Sequence, residues 1–360
     1  MTEKRSQHYV PQLYLRNFSM HNNQKSIGVF NIKLKKFIQN TSIKGQASKV
    51  FFYGKDGTVE DTLSHFESGC APVLRKIINS KQLPTRFSDE YFLIVFFLFL
   101  TELRNPATTE RMMRSSALFQ ETVKNKLDPE FAKRLPMLTH DDALEFAFKA
   151  VELSLRTTKD LGVKLLFNSS SQQFITSDNP VAKYNQFMEA KKWIGGGWTG
   201  LASIGLQFFF PISPELCILL YDPWVYKVGD KKKDLLEVSD MVSINAINGL
   251  QFMNATDNLF FNESITESYL EYLSVKDKSF KKANQPTSKI FKLLNESGEE
   301  LPGDLIVMGS SSPMMNLAIS GLTFTKQAKA FRFSNSAAQW RKYPSELFKN
   351  LPARSGPYTF

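Results

Sequence analysis

Apolar positions recur along this chain in two rhythms, and the switches between them mark out its elements. Residues 9–19 (YVPQLYLRNFS) place Pro11 where a first helical turn would begin and then read as a short amphipathic helix. From Ser26 to Ile43, apolar and polar residues alternate on either side of a polar centre, which predicts a β-hairpin or two short strands. Gly54-Lys55-Asp56-Gly57 reads as a turn. Leu63, Phe66, Cys70, Val73, Leu74 and Ile77 then fall on one stripe of a helix over residues 59–78. Pro84 closes that element, and Ser88 is placed to cap a long helix from Asp89 to near Leu103. The residue before a proline resists helical backbone, so a break is predicted at Asn105-Pro106, with a helix restarting at Thr108 or Thr109. A further helix over 141–157 carries Leu144, Phe146, Ala147, Ala150, Val151 and Leu153 as its apolar positions.

The period-2 rhythm returns at 163–176, as two apolar runs around a serine-rich turn. Residues 193–205 (WIGGGWTGLASIG) are glycine-rich and read as a flexible lid or lip. Gln207 to Ile212 and Leu216 to Tyr221 flank Ser-Pro-Glu and predict a tight hairpin of two very apolar strands. A helix follows over 240–252, and short strand-like runs recur between 287 and 333. Strands, then helices, then strands predict an α+β fold rather than alternating α/β. It would have N-terminal β-hairpin elements, a central helical block, a mixed or antiparallel sheet and an extra C-terminal α/β segment. The expected organisation is a core over 1–270, a polar linker over 271–286 and a basic extension over 287–360.

Composition narrows the function classes. A chain of 360 residues buries a core without staples, and its two cysteines, Cys70 and Cys217, form no C-x-x-C pair, which argues against a disulfide framework or a cysteine zinc site. The longest apolar run, Tyr91 to Leu100, is about half of the ~20 residues a membrane helix needs, so a buried core helix is expected. The first residues are basic without an apolar segment behind them, and the expectation is a cytoplasmic protein with no membrane association. The net charge of +10 favours acidic partners. Thirteen Lys/Arg against six Asp/Glu lie between Lys276 and Phe360, so +7 of that excess sits in the last quarter. Walker A, G-x-S-x-G, H-E-x-x-H and strand-following G-x-G-x-x-G sequences are absent.

Several separated motifs do carry a resemblance. His-Tyr-Val-Pro-Gln-x-Tyr-Leu-Arg-Asn-Phe opens the chain (His8 to Phe18), and Phe-Ile-Thr-Ser-Asp-Asn-Pro-Val spans Phe174 to Val181. Both resemble the bacterial family known as domain of unknown function 4238, and further pieces recur in the right order. These are the strand pair of residues 27–54, Glu67 with Ala71-Pro72-Val73-Leu74, and Phe210-Pro211-Ile212-Ser213-Pro214. Leu103-Arg104-Asn105-Pro106 is similar to the family's arginine-x-proline step, with asparagine where threonine is usual. The resemblance covers roughly residues 7–265. It implies membership and no activity, because the family's own function is not established.

The chemistry must therefore be argued from side chains. Asp178, followed by Asn179 and a proline, stands at the end of a predicted strand, a rigid station for metal ligation or acid/base work. Equally, Ser177, Asp178 and Asn179 can cap local backbone as an Asx turn. His8 suits a metal ligand or general base, or a pin for the N-terminal arm. Tyr9 and Arg16 could bind an anion. Glu60 and Glu67 lie on nearly one face of their helix, and carboxylates facing Asp178 could hold Mg2+ or Mn2+ for phosphodiester cleavage. Arg104, in an apolar neighbourhood, needs a carboxylate or phosphate partner. The leading expectation is a metal-dependent nuclease or phosphodiesterase acting on nucleic acid, in a setting such as anti-phage defence. His8, Glu67 and Asp178 would act as catalytic and metal-binding groups, and Tyr9, Arg16, Arg104 and Asn179 would bind the anion. Its rival is a non-catalytic component that binds nucleic acid or a protein partner through the basic face. The catalytic expectation requires His8, Glu67, Arg104 and Asp178 to meet in one cleft open to solvent.

Overall fold

A computed structural model of the protein describes residues 6–192, 198–276, 286–295, 298–310, 314–332 and 340–349. Strand β1 (Ser6–His8) leads through Pro11 into helix α1 (Gln12–Leu15), which tightens into a 3-10 turn over Arg16–Phe18 and buries Tyr14, Leu15 and Phe18. The alternating segment forms the predicted antiparallel pair, β2 (Ser26–Asn31) and β3 (Lys36–Ser42). Strand β4 (Ser48–Val50) returns to pair with β1.

The helical block follows. Helix α2 (Thr58–Ser80) buries Leu63, Cys70, Val73, Leu74 and Ile77, while Phe66 packs on Phe96. Ser88 caps α3 (Asp89–Leu103) through its hydroxyl, which accepts from the Tyr91 amide at 3.3 Å. The apolar run is thus a buried core helix. No single helix among the described residues is long and apolar enough to cross a membrane; only α3 with the next helix passes on length and composition, as a pair bent by 55°. That helix, α4 (Pro106–Lys126), begins before the expected Thr108, because the Asn105 side chain caps it and Pro106 fits the first turn, whose amide needs no partner. Helix α5 (Pro129–Arg134) precedes α6 (His140–Thr157), which opens on a capping box of Thr139 and Asp142. Phe146 and Leu153 do not join the buried stripe of α6 but point outward, 55% and 46% exposed.

The expected unit over 163–176 divides between two sheets. Strand β5 (Gly162–Asn168) enters a five-stranded sheet and β6 (Thr176–Ser177) a four-stranded one. After these come β7 (Ala182–Tyr184), α7 (Gln186–Ala190), β8 (Gln207–Pro211), β9 (Leu216–Tyr221), β10 (Tyr226–Val228) and β11 (Leu235–Val238). Helix α8 (Met241–Asn254), strand β12 (Asn258–Phe261) and helix α9 (Glu267–Lys276) follow. The larger sheet runs β11-β5-β9-β8-β7, antiparallel except for the β11–β5 pair, and the smaller runs β3-β2-β12-β6. Because strand side chains alternate, Phe208, Phe210, Ile218 and Leu220 face the helical block. Phe209, Cys217 and Leu219 face a second core built with Ile244, Ile247 and Leu250 of α8. Burial on both faces is why these two strands read as unbroken apolar runs. The protein is α+β, with mostly antiparallel sheets.

Helix α9 continues through the expected linker start at 271; residues 277–285 lie outside the described residues. Strands β13 (Pro286–Leu294) and β14 (Glu300–Ser310) form a hairpin tied to α4 by a Thr122–Ser288 hydroxyl contact of 2.8 Å. Strand β15 (Leu322–Phe324) pairs with β10, while Leu317, Ile319 and Ala328 complete the second core. Of the expected lid, residues 193–197 lie outside the described residues. The remainder is tied down, not free: Asn185 Nδ2 donates to the carbonyls of Trp198 and Ile204, and the Gly205 amide donates to Asp222.

Candidate functional site

The N-terminal arm is fixed by its own polar side chains. Gln7 donates to the Gly54 carbonyl at 2.7 Å and accepts from the Tyr53 amide at 2.6 Å, locking β1 beside the turn before α2. The His8 ring lies 3.1 Å from the Lys44 carbonyl through Nε2 and 3.5 Å from Gln12 Nε2 through Nδ1. A carbonyl can only accept, so the proton sits on Nε2. Burial holds the imidazole below its ordinary pKa, opposed by the Lys44 carbonyl and by Glu67, so the ring is neutral at pH 7. This is the pin arrangement. Tyr9 packs against Phe52 in a tilted pair, and burial, then Asp178 and Asp257, push its phenol up. Arg16 is exposed, with no side-chain partner among the described residues.

Arg104 closes α3, and its guanidinium is completely buried. Nη2 donates to Glu67 Oε1 at 2.8 Å, while Nε and Nη1 have no partner among the described residues. The imidazole of His8 feels both charges, so His8, Glu67 and Arg104 do come together, with Tyr53 and Cys70 around them. Glu67 is spent on the arginine, and a buried cation deprived of it would be costly.

Asp178 does something else. Its carboxylate, 1% exposed, accepts from the amides of Thr256 at 2.7 Å, Asp257 at 2.8 Å and Asn258 at 2.9 Å, clamping the entry to β12. Burial raises its pKa from 3.8 to about 6 against the pull of those three donors. Asn105 Nδ2 grips the Asp178 carbonyl at 2.5 Å. Asn179 Nδ2 donates to the Asn254 carbonyl, and Asn254 Nδ2 donates to the carbonyls of Asn179 and Val181. Asn179 is therefore a stitch to the end of α8, not an anion-binding group. The four-residue convergence fails at Asp178, whose oxygens are committed to backbone. Among the described residues no three His, Cys, Asp or Glu side chains are grouped to hold a metal ion, so the set His8, Glu67 and Asp178 is not assembled as one.

The model of one family, described as a protein of unknown function (DUF4238), matches residues 6–264. The chain belongs to this family. No curated protein and no solved structure matches it. The DUF4238 span begins at β1 and closes just after β12, so it holds the whole His8–Glu67–Arg104 and Asp178 network and both larger sheets.

What remains open to solvent around this DUF4238 network is its rim. Lys33 pairs with Asp257 at 2.5 Å, and Lys49 and Arg114 both reach Glu110, at 3.5 and 3.3 Å. Asp257 and Glu110 in turn act on the Tyr9 phenol, which places these cations around Tyr9. A cleft elsewhere in the fold was not foreseen from sequence. A cleft of about 800 Å3 is lined by Trp224, Phe331, Trp340 and Tyr343 with Asp160 and Asp222. Its walls come from positions too distant in the chain to form a motif.

Proposed function

We propose that this protein is a non-catalytic binding component whose partner is nucleic acid, held on the basic rim around Tyr9. The observation that carries the reading is the inward commitment of Asp178: its carboxylate serves three backbone amides and has no exposure for substrate. Lys33, Lys49 and Arg114 offer the exposed charge, and their ion pairs are solvent-exposed, worth about 0–1 kcal/mol each, so phosphates can displace the carboxylates. The Tyr9 hydroxyl has no partner among the described residues and offers a base a half-buried ring edge. Anisotropy titrations of a labelled single strand across a salt series test the reading. Binding should weaken with salt by a log–log slope of about −0.7 per contacted phosphate, and Lys33→Gln, Lys49→Gln and Arg114→Gln together should flatten that slope by about 2. Absence of binding at low salt, or a slope indifferent to the three changes, would overturn it.

A hydrolase using Mg2+ or Mn2+ is the second reading. One observation favours it: the neutral His8 ring stands near a buried guanidinium two of whose nitrogens, Nε and Nη1, have no partner among the described residues. It requires strand cleavage by the wild type with either metal and none by a folded Glu67→Gln variant.

A further inference from the structure

The two tryptophans of the C-terminal cleft come from different segments and are both held from behind. Trp224 sits in the β9–β10 connection, where its amide donates to Asp222 Oδ1 at 2.9 Å and its carbonyl accepts from Thr325 Oγ1 at 2.7 Å. Asp222 also receives the Gly205 amide at 2.9 Å, so this buried carboxylate joins two loops and fixes the turn that presents the indole. Trp340 is paired through its backbone with Ser203, and the next residue, Arg341, is buried. Arg341 donates through Nε and Nη2 to the two oxygens of Asp160, and to the carbonyls of Ser203 and Thr157. Every guanidinium nitrogen is thereby used, so the arginine anchors the wall and is not a free cation. Despite this support, Trp224 and Trp340 are 40% and 49% exposed. Phe331 meets Trp224 edge-on at 5.5 Å.

We propose that this cleft is a binding site for a planar heteroaromatic ligand of the nucleobase type, carried on a mononucleotide. Fixed aromatic side chains with exposed rings are stacking platforms, and every base has a π-face to place on them. Size separates this ligand from the other one aromatic walls suit, a quaternary ammonium. A cation held by rings lies within about 6 Å of their centroids. The cleft encloses about 800 Å3, inside the range of about 300–1,000 Å3 typical of sites for nucleotide-sized molecules. Lys342, whose side chain is 90% exposed and 3.9 Å from Glu346, is a lining cation that a phosphate can pair with. The rings are brought together by the segment beyond the DUF4238 span, so the site does not depend on the strand-binding rim.

Calorimetric titration of the full chain with adenosine 5′-monophosphate, ribose 5-phosphate and choline tests the proposal. The nucleotide should saturate one site with a Kd below about 1 mM. Trp224→Ala and Trp340→Ala should each weaken it about tenfold or more, while Trp224→Phe keeps most of the affinity. Unchanged thermal unfolding of the variants separates lost stacking from lost structure, and Trp224→Phe carries the comparison should an alanine variant fail to fold. Failure of the wild type to bind the nucleotide, equal binding of ribose 5-phosphate, or binding of choline alone would each overturn the assignment. A strand that binds the rim while the nucleotide ignores the cleft would sink this site and leave the rim standing; the reverse result would do the opposite.

Discussion

Asp178 shows how one carboxylate reads differently as a letter and as an atom. Removing it by Asp178→Ala strands three part-buried amides, each costing about 1 kcal/mol or more, so urea unfolding should report a loss of about 3 kcal/mol. Its pH signature has a definite sign. The folded protein holds this proton more tightly than the unfolded chain, from 3.8 to about 6, so the group's contribution is fully present below about pH 4 and is lost as pH rises through 6. Unfolding curves for wild type and Asp178→Asn at pH 4 and pH 7 should therefore differ in spacing, the wild type losing ground at the higher pH. In the sequence, Ser-Asp-Asn-Pro allowed both a reactive carboxylate and a cap. The donors that decide between them lie 78 to 80 positions downstream, where no local pattern points back to Asp178. Arg104 was more legible: a cation in apolar surroundings demands a carboxylate or phosphate partner, and Glu67 supplies it.

At the level of elements, backbone chemistry was the readable part. Ser88 caps the helix that follows, as its position predicts, and the alternation of Phe208, Phe209 and Phe210 gives a strand buried on both faces. Short elements were not readable: two residues, Thr176 and Ser177, have no period, so their place beside β12 depends on tertiary pairing. The α6 stripe was misread at Phe146 and Leu153 because apolar character alone does not say which face is inward. Gly205 is the element-scale test. It sits at φ +77°, and an added Cβ would come within 2.6 Å of Asn185 Oδ1 and 2.7 Å of Phe187 Cβ. Gly205→Ala should cost about 2 kcal/mol or more in thermal or urea unfolding, through both strain and the displaced Asn185 ties.

Across the whole molecule, described residues beyond 264 contribute to the interior. The charge excess of the last quarter suggested a docking surface, but Arg341, one of those cations, is buried against Asp160 and two carbonyls. Net charge counts such a residue without saying where it faces. Arg341→Ala leaves two buried carbonyls and a carboxylate without their donor, and should lower stability by about 3 kcal/mol in urea unfolding. The residues that finish the second core, Leu317, Ile319 and Ala328, likewise lie beyond residue 264.

That late completion sets a condition on biosynthesis. As the chain leaves the ribosome, Phe209, Cys217 and Leu219 are made long before the segment that shields the remainder of their face. A nascent polypeptide of this kind exposes a sticky aromatic slab through a substantial stretch of translation, the state that chaperones guard and that crowded overexpression turns into inclusion bodies.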